Sequence, residues 1–299
     1  MNVLGVGEIL WDVFPDQELL GGAPLNFSVS MHRLGNKVAV LSAVGNDIRG
    51  RRALTSMIEW GIVTDFVELT SERGTGTAMV STDASGNATF VIERPAAFDL
   101  VHLDELGLDR IRAFHPDWIY LGTLAHTAPG AEERLDHLLS VTPNSRCFYD
   151  INLREGHWNA GLVQRLSHRA TIIKLNNSEA EELYRLSNCT HPYSIEAFCK
   201  YWSASFGGSV ICVTLGACGC AIWIDETLHT FAAYPVTVVD TVGAGDAFAA
   251  AFLHGYQCGL PVDEMARRAN ALGALVASRA GAIPEWRPEE CLQLVNSAH

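Results

Sequence analysis

The sequence predicts a mixed α/β fold, in which helices cover both faces of a mostly parallel sheet and a small second sheet is attached. Strand-like and helix-like segments alternate along most of the 299 residues, as in parallel sheets joined by crossover helices. Between about residues 64 and 93 this alternation gives way to short strand-like runs separated by turns. Apolar residues make up 48% of the chain, enough to bury a large core.

The first part of the chain predicts two strand and helix pairs. Residues 1–10 form an apolar run expected to be one buried strand, and residues 23–35 have helical apolar spacing that ends on Gly35, a residue suited to a helix C-terminus. A second strand is predicted at 37–45 and a second helix at 47–61.

The segment from 64 to 93 predicts the small sheet. Three runs alternate apolar and polar residues and are expected to pair as antiparallel strands: TDFVELT, GTAMVSTD and TFVIER. The turn sequences RGTG and ASGN separate them.

From DWIYLGTL onward the strand and helix alternation resumes. The later predicted elements are the strand RCFYDIN, the helix NAGLVQRLSHRA, the strand TIIKLN, the helix SEAEELYRLS, the strand GSVICVTLG and the hairpin CGCAIWIDETLHTFAAYPV. Two long helices are expected to follow residue 243.

Composition restricts the ligands that the protein can bind. The formal charge of −13 is expected to repel nucleic acids and anionic membranes, so neither is a predicted partner. Lysine occurs only at positions 37, 174 and 200. Local arginines and helix N-termini would therefore have to hold an anionic ligand.

The sequence predicts a cytoplasmic location. It lacks the pattern of a secretion signal, and no apolar run reaches the roughly twenty residues needed to span a bilayer. Reduced thiols are expected there. Cys212, Cys218 and Cys220 lack the spacing of a zinc site and are expected to pack in the core.

Two familiar nucleotide-binding patterns are incomplete. The dinucleotide pattern GxGxxG fails at Leu10 in one segment and at Phe248 in another. Residues 45–52 have the glycine spacing of a phosphate loop but carry Arg51 and Arg52 in place of Lys and Ser/Thr. This segment is expected to be a turn leading into a helix.

The stretch TVGAGDAF carries the strongest chemical signal. Gly243 and Gly245 allow a ligand to approach backbone amides, and the following alanine-rich run predicts that these amides open a helix, where anions bind. Asp246 is then either a carboxylate that complements the helix dipole or a general base beside an anion site. The residues alone leave both interpretations open.

Several segments resemble the ribokinase-like sugar kinases, the PfkB carbohydrate kinase family, over nearly the whole chain. DTVGAGDAF is similar to the family's C-terminal signature, and residues 21–35 resemble its N-terminal signature. KLNNSEAEEL resembles its NxxE element, VTLGACG its nucleotide-side turn and DINLR an Asp-x-Asn-x-Arg strand end. The resemblance implies one ribokinase-like three-layer α/β/α domain over 1–299, with a β lid at about 64–95 and a further lid segment near 12–20.

The resemblance also implies a reaction, the transfer of the γ-phosphate of ATP to a sugar hydroxyl. Asp246 would accept the hydroxyl proton, and the backbone at Gly243, Ala244 and Gly245, with the Asp246 amide, would bind the developing negative charge. A side chain at 243 or 245 would push the phosphate away from these amides.

The nucleotide and cation positions follow from the same resemblance. The nucleotide side would comprise Asn176, Thr214, Gly216, Gly219, Asn270 and Gly273. Glu179 would bind Mg²⁺ through water, although a helix cap is the alternative role. Tight helix packing is the alternative for the small residues near Gly273. A monovalent cation such as K⁺ would lie near Asp240, Ala280 and Gly281.

The predicted sugar site would use Asp12, Gly22, Asn26, Arg94 and Arg154. GEILWD and GGAPLN resemble the fructokinase branch, so fructose is the expected substrate, with ribose, 2-keto-3-deoxygluconate and other hexoses left open. A non-catalytic sugar- or nucleotide-binding regulatory protein is the alternative from another functional class. Lids of such kinases meet in dimers, which implies a homodimer.

Overall fold

A computed structural model describes residues 1–82, 88–187 and 189–297. The predicted turn ASGN lies largely outside these residues. The strands, numbered in chain order, are β1 (Asn2–Val6), β2 (Leu10–Val13), β3 (Glu18–Gly21), β4 (Lys37–Gly45), β5 (Val67–Thr70), β6 (Gly76–Thr82), β7 (Ala88–Ile92), β8 (Trp118–Gly122), β9 (Arg146–Asp150), β10 (Ile172–Asn176), β11 (Val210–Thr214), β12 (Cys220–Ile224) and β13 (Thr227–Phe231).

The helices carry the remaining regular structure. They are α1 (Ala23–Arg33), α2 (Ile48–Glu59), α3 (Glu105–Phe114), α4 (Ala131–Val141), α5 (Ala160–Ser167), α6 (Asn177–Arg185), α7 (Ile195–Phe206), α8 (Ala244–Gln257), α9 (Val262–Ala277) and α10 (Pro288–Ser297). The helix ends predicted at Gly35 and Gly61 are confirmed: both glycines follow a helix and have positive φ.

Within the described residues, the large sheet has the order β13-β12-β11-β10-β9-β8-β1-β4-β5. Its pairs are parallel from β5 to β11, and the β12–β13 hairpin adds two antiparallel strands at the other edge. The central strand β8 is buried along its whole length, as expected for a strand covered on both faces.

Two hydrophobic cores, one on each face of the large sheet, give the predicted three layers. Alternate strand residues supply them, so Tyr120 enters the core shared with α1, α8 and α9, while Ile119 enters the core shared with α3 to α7. The α/β fold class with a small second sheet is confirmed.

The predicted strand over residues 1–10 is divided between the two sheets. β1 ends at Val6, and β2 begins at Leu10 in the small sheet, whose order is β3-β2-β6-β7. Gly7 separates them with a φ of 147°, and a Cβ there would lie 2.6 Å from Pro24 Cγ. The chain changes sheets at a residue that only glycine occupies easily.

The run TDFVELT is not part of the small sheet, contrary to the prediction. Its strand β5 pairs in parallel with β4, with Ser42 opposite Val67. The reason is connectivity: α2 returns the chain to the start of the sheet, so the next strand runs parallel to the last. Of the predicted antiparallel runs, only β6 and β7 pair with each other.

Two smaller observations complete the fold. Cys212 and Cys220 are buried as expected, but Cys218 is exposed in the turn after β11. No helix within the described ranges has both the length and the apolar character required to cross a bilayer.

Candidate active site

The N-terminus of α8 forms the centre of the candidate site. Gly243 precedes the helix, Ala247 N–H makes the first intrahelical bond, to Gly243 O, and residues 243–245 are half-buried. Ala244 N–H already donates to Thr241 O at 3.3 Å. Helix geometry leaves the amides of Gly245 and Asp246 without intrahelical acceptors, so these two are the available anion donors.

The two glycines are required by neighbouring protein atoms rather than by ligand access. Gly243 has a φ of 79°, and a Cβ there would lie 2.8 Å from Ala282 Cα. A Cβ on Gly245 would lie 3.0 Å from Lys174 Nζ. The predicted reason, displacement of a phosphate by a side chain, is therefore replaced by backbone packing at 243 and by a buried ammonium group at 245.

Asp246 lies in the first turn of α8 with only 8% of its surface exposed. Asn26 Nδ2 donates to Asp246 Oδ2 at 2.8 Å, which joins the two glycine-rich motifs across 220 residues of sequence. Burial raises the pKa of Asp246 to about 6, and Asp150 adds to the increase, while Lys174 and Asn26 lower it. The carboxylate is therefore a base that ionises near neutral pH.

Two further carboxyl groups, Glu8 and Asp12, lie around Asn26 and Asp246. Asp12 is on β2 of the small sheet, not at the end of the first strand as predicted, and a Cβ on the neighbouring Gly21 would lie 3.1 Å from Asp12 Oδ2. Burial raises the pKa of Asp12 to about 6. Burial also raises the pKa of Glu8 to about 7.

Unpaired acceptors mark the space beside these groups. Glu8 Oε2 and Asn26 Oδ1 are buried and have no hydrogen-bond partner among the described residues. Gly22, with a φ of 110°, packs against the Glu8 backbone, where a Cβ would lie 3.1 Å from the Glu8 carbonyl carbon. Buried acceptors without donors are costly in a protein interior, and sugar hydroxyl groups would satisfy them.

Sequence reasoning missed a buried ion pair next to Asp246. Lys174 Nζ lies 2.9 Å from Asp150 Oδ2, and Tyr120 Oη donates to the same oxygen at 3.1 Å. Burial alone would lower the pKa of Lys174, but Asp150 and Asp246 raise it above its ordinary value. A signal was present in the sequence: lysine is unusual inside a strand buried on both faces.

Glu179 forms a capping box at the start of α6. Its Oε2 accepts from Asn176 N–H at 2.8 Å, Asn176 Oδ1 accepts from Glu179 N–H at 2.9 Å, and Glu179 Oε1 accepts from Leu153 N–H at 2.7 Å. Burial raises the pKa of Glu179. The alternative capping role is thus present in the structure, and free lone pairs still fit a water-mediated contact to Mg²⁺.

The two predicted sugar-site arginines differ in their surroundings. Arg94 forms a buried ion pair with Asp99 and also donates to Leu124 O and Thr127 Oγ1, so most of its N–H donors already have protein acceptors. This structural role replaces the predicted sugar contact. Arg154 is exposed and lies close enough to Glu8, Asp12 and Asp246 to lower the pKa of each.

The predicted nucleotide positions have contacts within the protein. Thr214 Oγ1 donates to Leu175 O at 3.4 Å, and Asn270 Nδ2 donates to Ala232 O at 3.1 Å. A Cβ on Gly219 would lie 2.6 Å from Ala233 N, and one on Gly273 would lie 3.2 Å from Ala244 O. Gly273 therefore permits close packing of α9 on α8, the alternative role considered for it.

Gly216 and the cation loop complete the predicted positions. Gly216 has a φ of 56°, and a Cβ there would meet no atom within 4 Å, so the turn faces open space. Asp240 links two loops, because its Oδ1 accepts from Val242 N–H and its Oδ2 from Gly281 N–H, both at 3.0 Å. Ala280 is exposed beside this link.

The arrangement as a whole suits transfer of an anionic group to an alcohol. A base with a pKa near neutrality lies beside two amides at a positive helix end, and unpaired acceptors suited to hydroxyl groups lie next to it. These features come from α1, α8 and the loop after β1 on one side of the carboxyl ends of the strands. Open α/β sheets bind ligands at this edge.

Comparison with known proteins agrees with this arrangement. Residues 15–289 match the sequence model described as pfkB family carbohydrate kinase. The chain is 30% identical over 295 residues to fructokinase-1 of Zea mays, and the match covers 93% of this chain and 88% of that protein.

Solved structures have the same fold. A fructokinase with bound ATP from Xylella fastidiosa superposes with a TM-score of 0.87 at 24% identity, covering 99% of this chain and 98% of the other. A fructokinase from Vibrio cholerae O395 with fructose, ADP and calcium ion bound superposes with a TM-score of 0.81 at 23% identity, covering 98% of each chain.

Proposed function

We propose that this chain, which belongs to the pfkB family of carbohydrate kinases, transfers the γ-phosphate of ATP to a hydroxyl of fructose, with Asp246 as the general base. The observation that carries the proposal is the hydrogen bond from Asn26 to Asp246. It brings the two glycine-rich motifs together at a buried carboxylate beside unpaired helix amides.

In the proposed reaction, Asp246 accepts the proton of the acceptor hydroxyl as its oxygen forms a bond to the γ-phosphorus of ATP. The bond from that phosphorus to the bridging oxygen breaks, and ADP leaves. The amides of Gly245 and Asp246 donate to the phosphoryl oxygens, where negative charge increases, and Asp246 later releases its proton to solvent.

Other residues of the chain would hold the two substrates. Asp12, Glu8 and Asn26 offer acceptors to sugar hydroxyls, and the exposed Arg154 is placed to contact phosphate. Glu179 would hold Mg²⁺ through water, where the ion supplies charge neutralisation to the phosphates. Arg94 is not included, because it is bound to Asp99.

Fructose is proposed as the acceptor because relatives named fructokinase match almost the full length of the chain. The small sheet, through Asp12 on β2, is proposed to cover the sugar and exclude water, which would otherwise compete as acceptor. A monovalent cation near Asp240 and Gly281 is a further part of the proposal.

The test is ADP release from ATP and Mg²⁺ with fructose, ribose and 2-keto-3-deoxygluconate, using the wild-type protein, Asp246→Asn and Asp263→Asn. Asp263 is an exposed first-turn acid of α9, so its substitution makes the same change where only the helix dipole is affected. We expect fructose to give the highest kcat/KM and Asp246→Asn to lose about 10³-fold or more of kcat, a loss typical of a missing general base.

Asp263→Asn should retain kcat within about twofold, because a dipole contact contributes only about 0.3–1 kcal/mol. Circular dichroism should show that Asp246→Asn is folded. Substantial turnover by folded Asp246→Asn would contradict the assignment of the base, and a preference for another sugar would contradict fructose. ATP binding without ADP release for every sugar would contradict the kinase proposal as a whole.

A further inference from the structure

Lys174 and Asp150 form a buried pair that the proposed reaction does not use. They lie directly opposite each other on the parallel strands β10 and β9, and both side chains lie on the same face of the sheet. The two Asp150 oxygens are 2.9 and 3.1 Å from Lys174 Nζ, and the side chains are 8% and 0% exposed. Buried ion pairs contribute little net stability, so stability alone does not account for this one.

The Lys174 ammonium group extends to the first turn of α8. Its Nζ lies 3.0 Å from the position that a Cβ would occupy on Gly245. Gly245 lies within α8 and has no positive φ, so its backbone would accept another residue. The space beside residue 245 is thus occupied by the positive charge of Lys174, one residue before Asp246.

Charged and polar groups from several elements surround Asp246. They are Asp150 on β9, Lys174 on β10, Arg154 after β9, Glu8 after β1, Asp12 on β2, Tyr120 on β8 and Asn26 on α1. Among these, Asp150 disfavours the charged form of Asp246 and Lys174 favours it. The pair therefore acts on Asp246 with two opposite charges held in fixed positions.

We propose that Lys174 and Asp150 are positioning residues that together set the pH at which Asp246 becomes a base, with Lys174 keeping its carboxylate ionised and Asp150 opposing that effect. The proposal rests on the proposed function for its catalytic meaning, but its electrostatic content can be measured without turnover. Tyr120 contributes by holding Asp150 in place through its hydrogen bond.

The test is a titration of protein labelled with ¹³C at aspartate carboxyl carbons, with the Asp246 signal assigned by its loss in Asp246→Asn. Lys174→Met should raise the titration midpoint of Asp246 by about one pH unit, because a nearby cation is removed. Asp150→Asn should lower it by about one pH unit, because a nearby anion is removed and the cation remains. The double variant should return to within about 0.3 pH unit of the wild type, since both charges are removed.

Matched surface changes provide the controls. Lys200→Met removes an exposed lysine paired with Glu196, and Asp136→Asn removes an exposed aspartate paired with Arg169, so neither should move the Asp246 midpoint. The low-pH limb of kcat/KM should shift by the same amounts and in the same directions as the titration midpoint.

An unchanged Asp246 midpoint in both single variants would overturn the proposal, as would shifts of the same sign, including the case in which Asp150 alone takes up the proton in Lys174→Met. If Lys174→Met fails to fold, the Asp150→Asn titration decides the matter. The expected midpoint shifts in a protein without kinase activity would support the electrostatic pair and contradict the proposed function separately.

Discussion

At the scale of single residues, Asp246 combines burial with a proposed role that needs negative charge. Burial raises its pKa from 3.8 to about 6. The folded protein then binds this proton more tightly than the unfolded chain, so the stability due to this group falls as pH rises from about 4 to about 6. Above pH 6 the folded state contains an unfavourable buried charge, and Asp246→Asn is expected to melt no lower than the wild type there.

Arg94 leads to a prediction about stability instead of substrate binding. Its guanidinium is the buried partner of Asp99, which also accepts from Ala96 N–H at 2.9 Å. Arg94→Met should leave Asp99 as an unpaired buried charge and lower the free energy of unfolding by about 3–5 kcal/mol. Urea denaturation measures this change.

The sugar KM of folded Arg94→Met should change by less than about threefold, because no uniform substrate contact is removed. Arg112→Met is the control: it removes an exposed arginine paired with Asp109 on α3, and its unfolding free energy should stay within about 0.5 kcal/mol of the wild type. A large rise in sugar KM without loss of stability would restore the role predicted from the sequence.

At the scale of elements, helix α8 depends on glycines at both ends for different reasons. Gly243 and Gly259 have φ angles of 79° and 69°. A Cβ on Gly259 would meet no atom within 4 Å, whereas one on Gly243 would lie 2.8 Å from Ala282 Cα. The two positions therefore separate backbone strain from steric overlap in one helix.

Gly259→Ala should cost about 1–2 kcal/mol, the usual penalty of a left-handed conformation for a residue with a Cβ. Gly243→Ala should cost more, and it should also lower kcat by about 10²-fold, because the amides and Asp246 are displaced together. Thermal melting and ADP release measure the two effects. Equal losses of stability, with kcat retained in Gly243→Ala, would mean that the 278–284 loop adjusts freely around residue 282.

At the scale of the whole molecule, the two sheets meet around the candidate site. Asp12 comes from the small sheet, Asp246 from a helix on the large sheet, and Leu19 of β3 lies near the Gly281 loop. Met79 and Val91 lie opposite each other on the exposed outer face of the small sheet, the surface on which the predicted homodimer would depend.

If the small sheet closes over the sugar, ligand binding should reduce its exchange with solvent. With fructose and a non-hydrolysable ATP analogue, hydrogen exchange of amides in β2 and β6 should slow by about tenfold or more, because local opening is suppressed. Amides in the fully buried β8 provide the control and should not change. Equal exchange in the small sheet with and without ligands would contradict its role as a lid.

Local patterns predicted much of the fold and the main features of the site. Alternation of strands and helices predicted the layers, and the glycine-rich run before an alanine-rich helix predicted the anion-binding end of α8. The wrong assignments, of 1–10 as one strand and of β5 to the small sheet, concern which sheet a strand joins. That choice depends on contacts distant in sequence, which a local pattern does not contain.

The sequence by itself determined the α/β layers, the family signatures and the position of the proposed base, because burial period and glycine placement are local properties of a chain. Only the tertiary structure decided that Asn26 holds Asp246, that Arg94 is bound to Asp99 and that Lys174 lies between Asp150 and α8. Asn26 and Lys174 contact residues 220 and 24 positions away, so strand order and helix packing determine which charges meet.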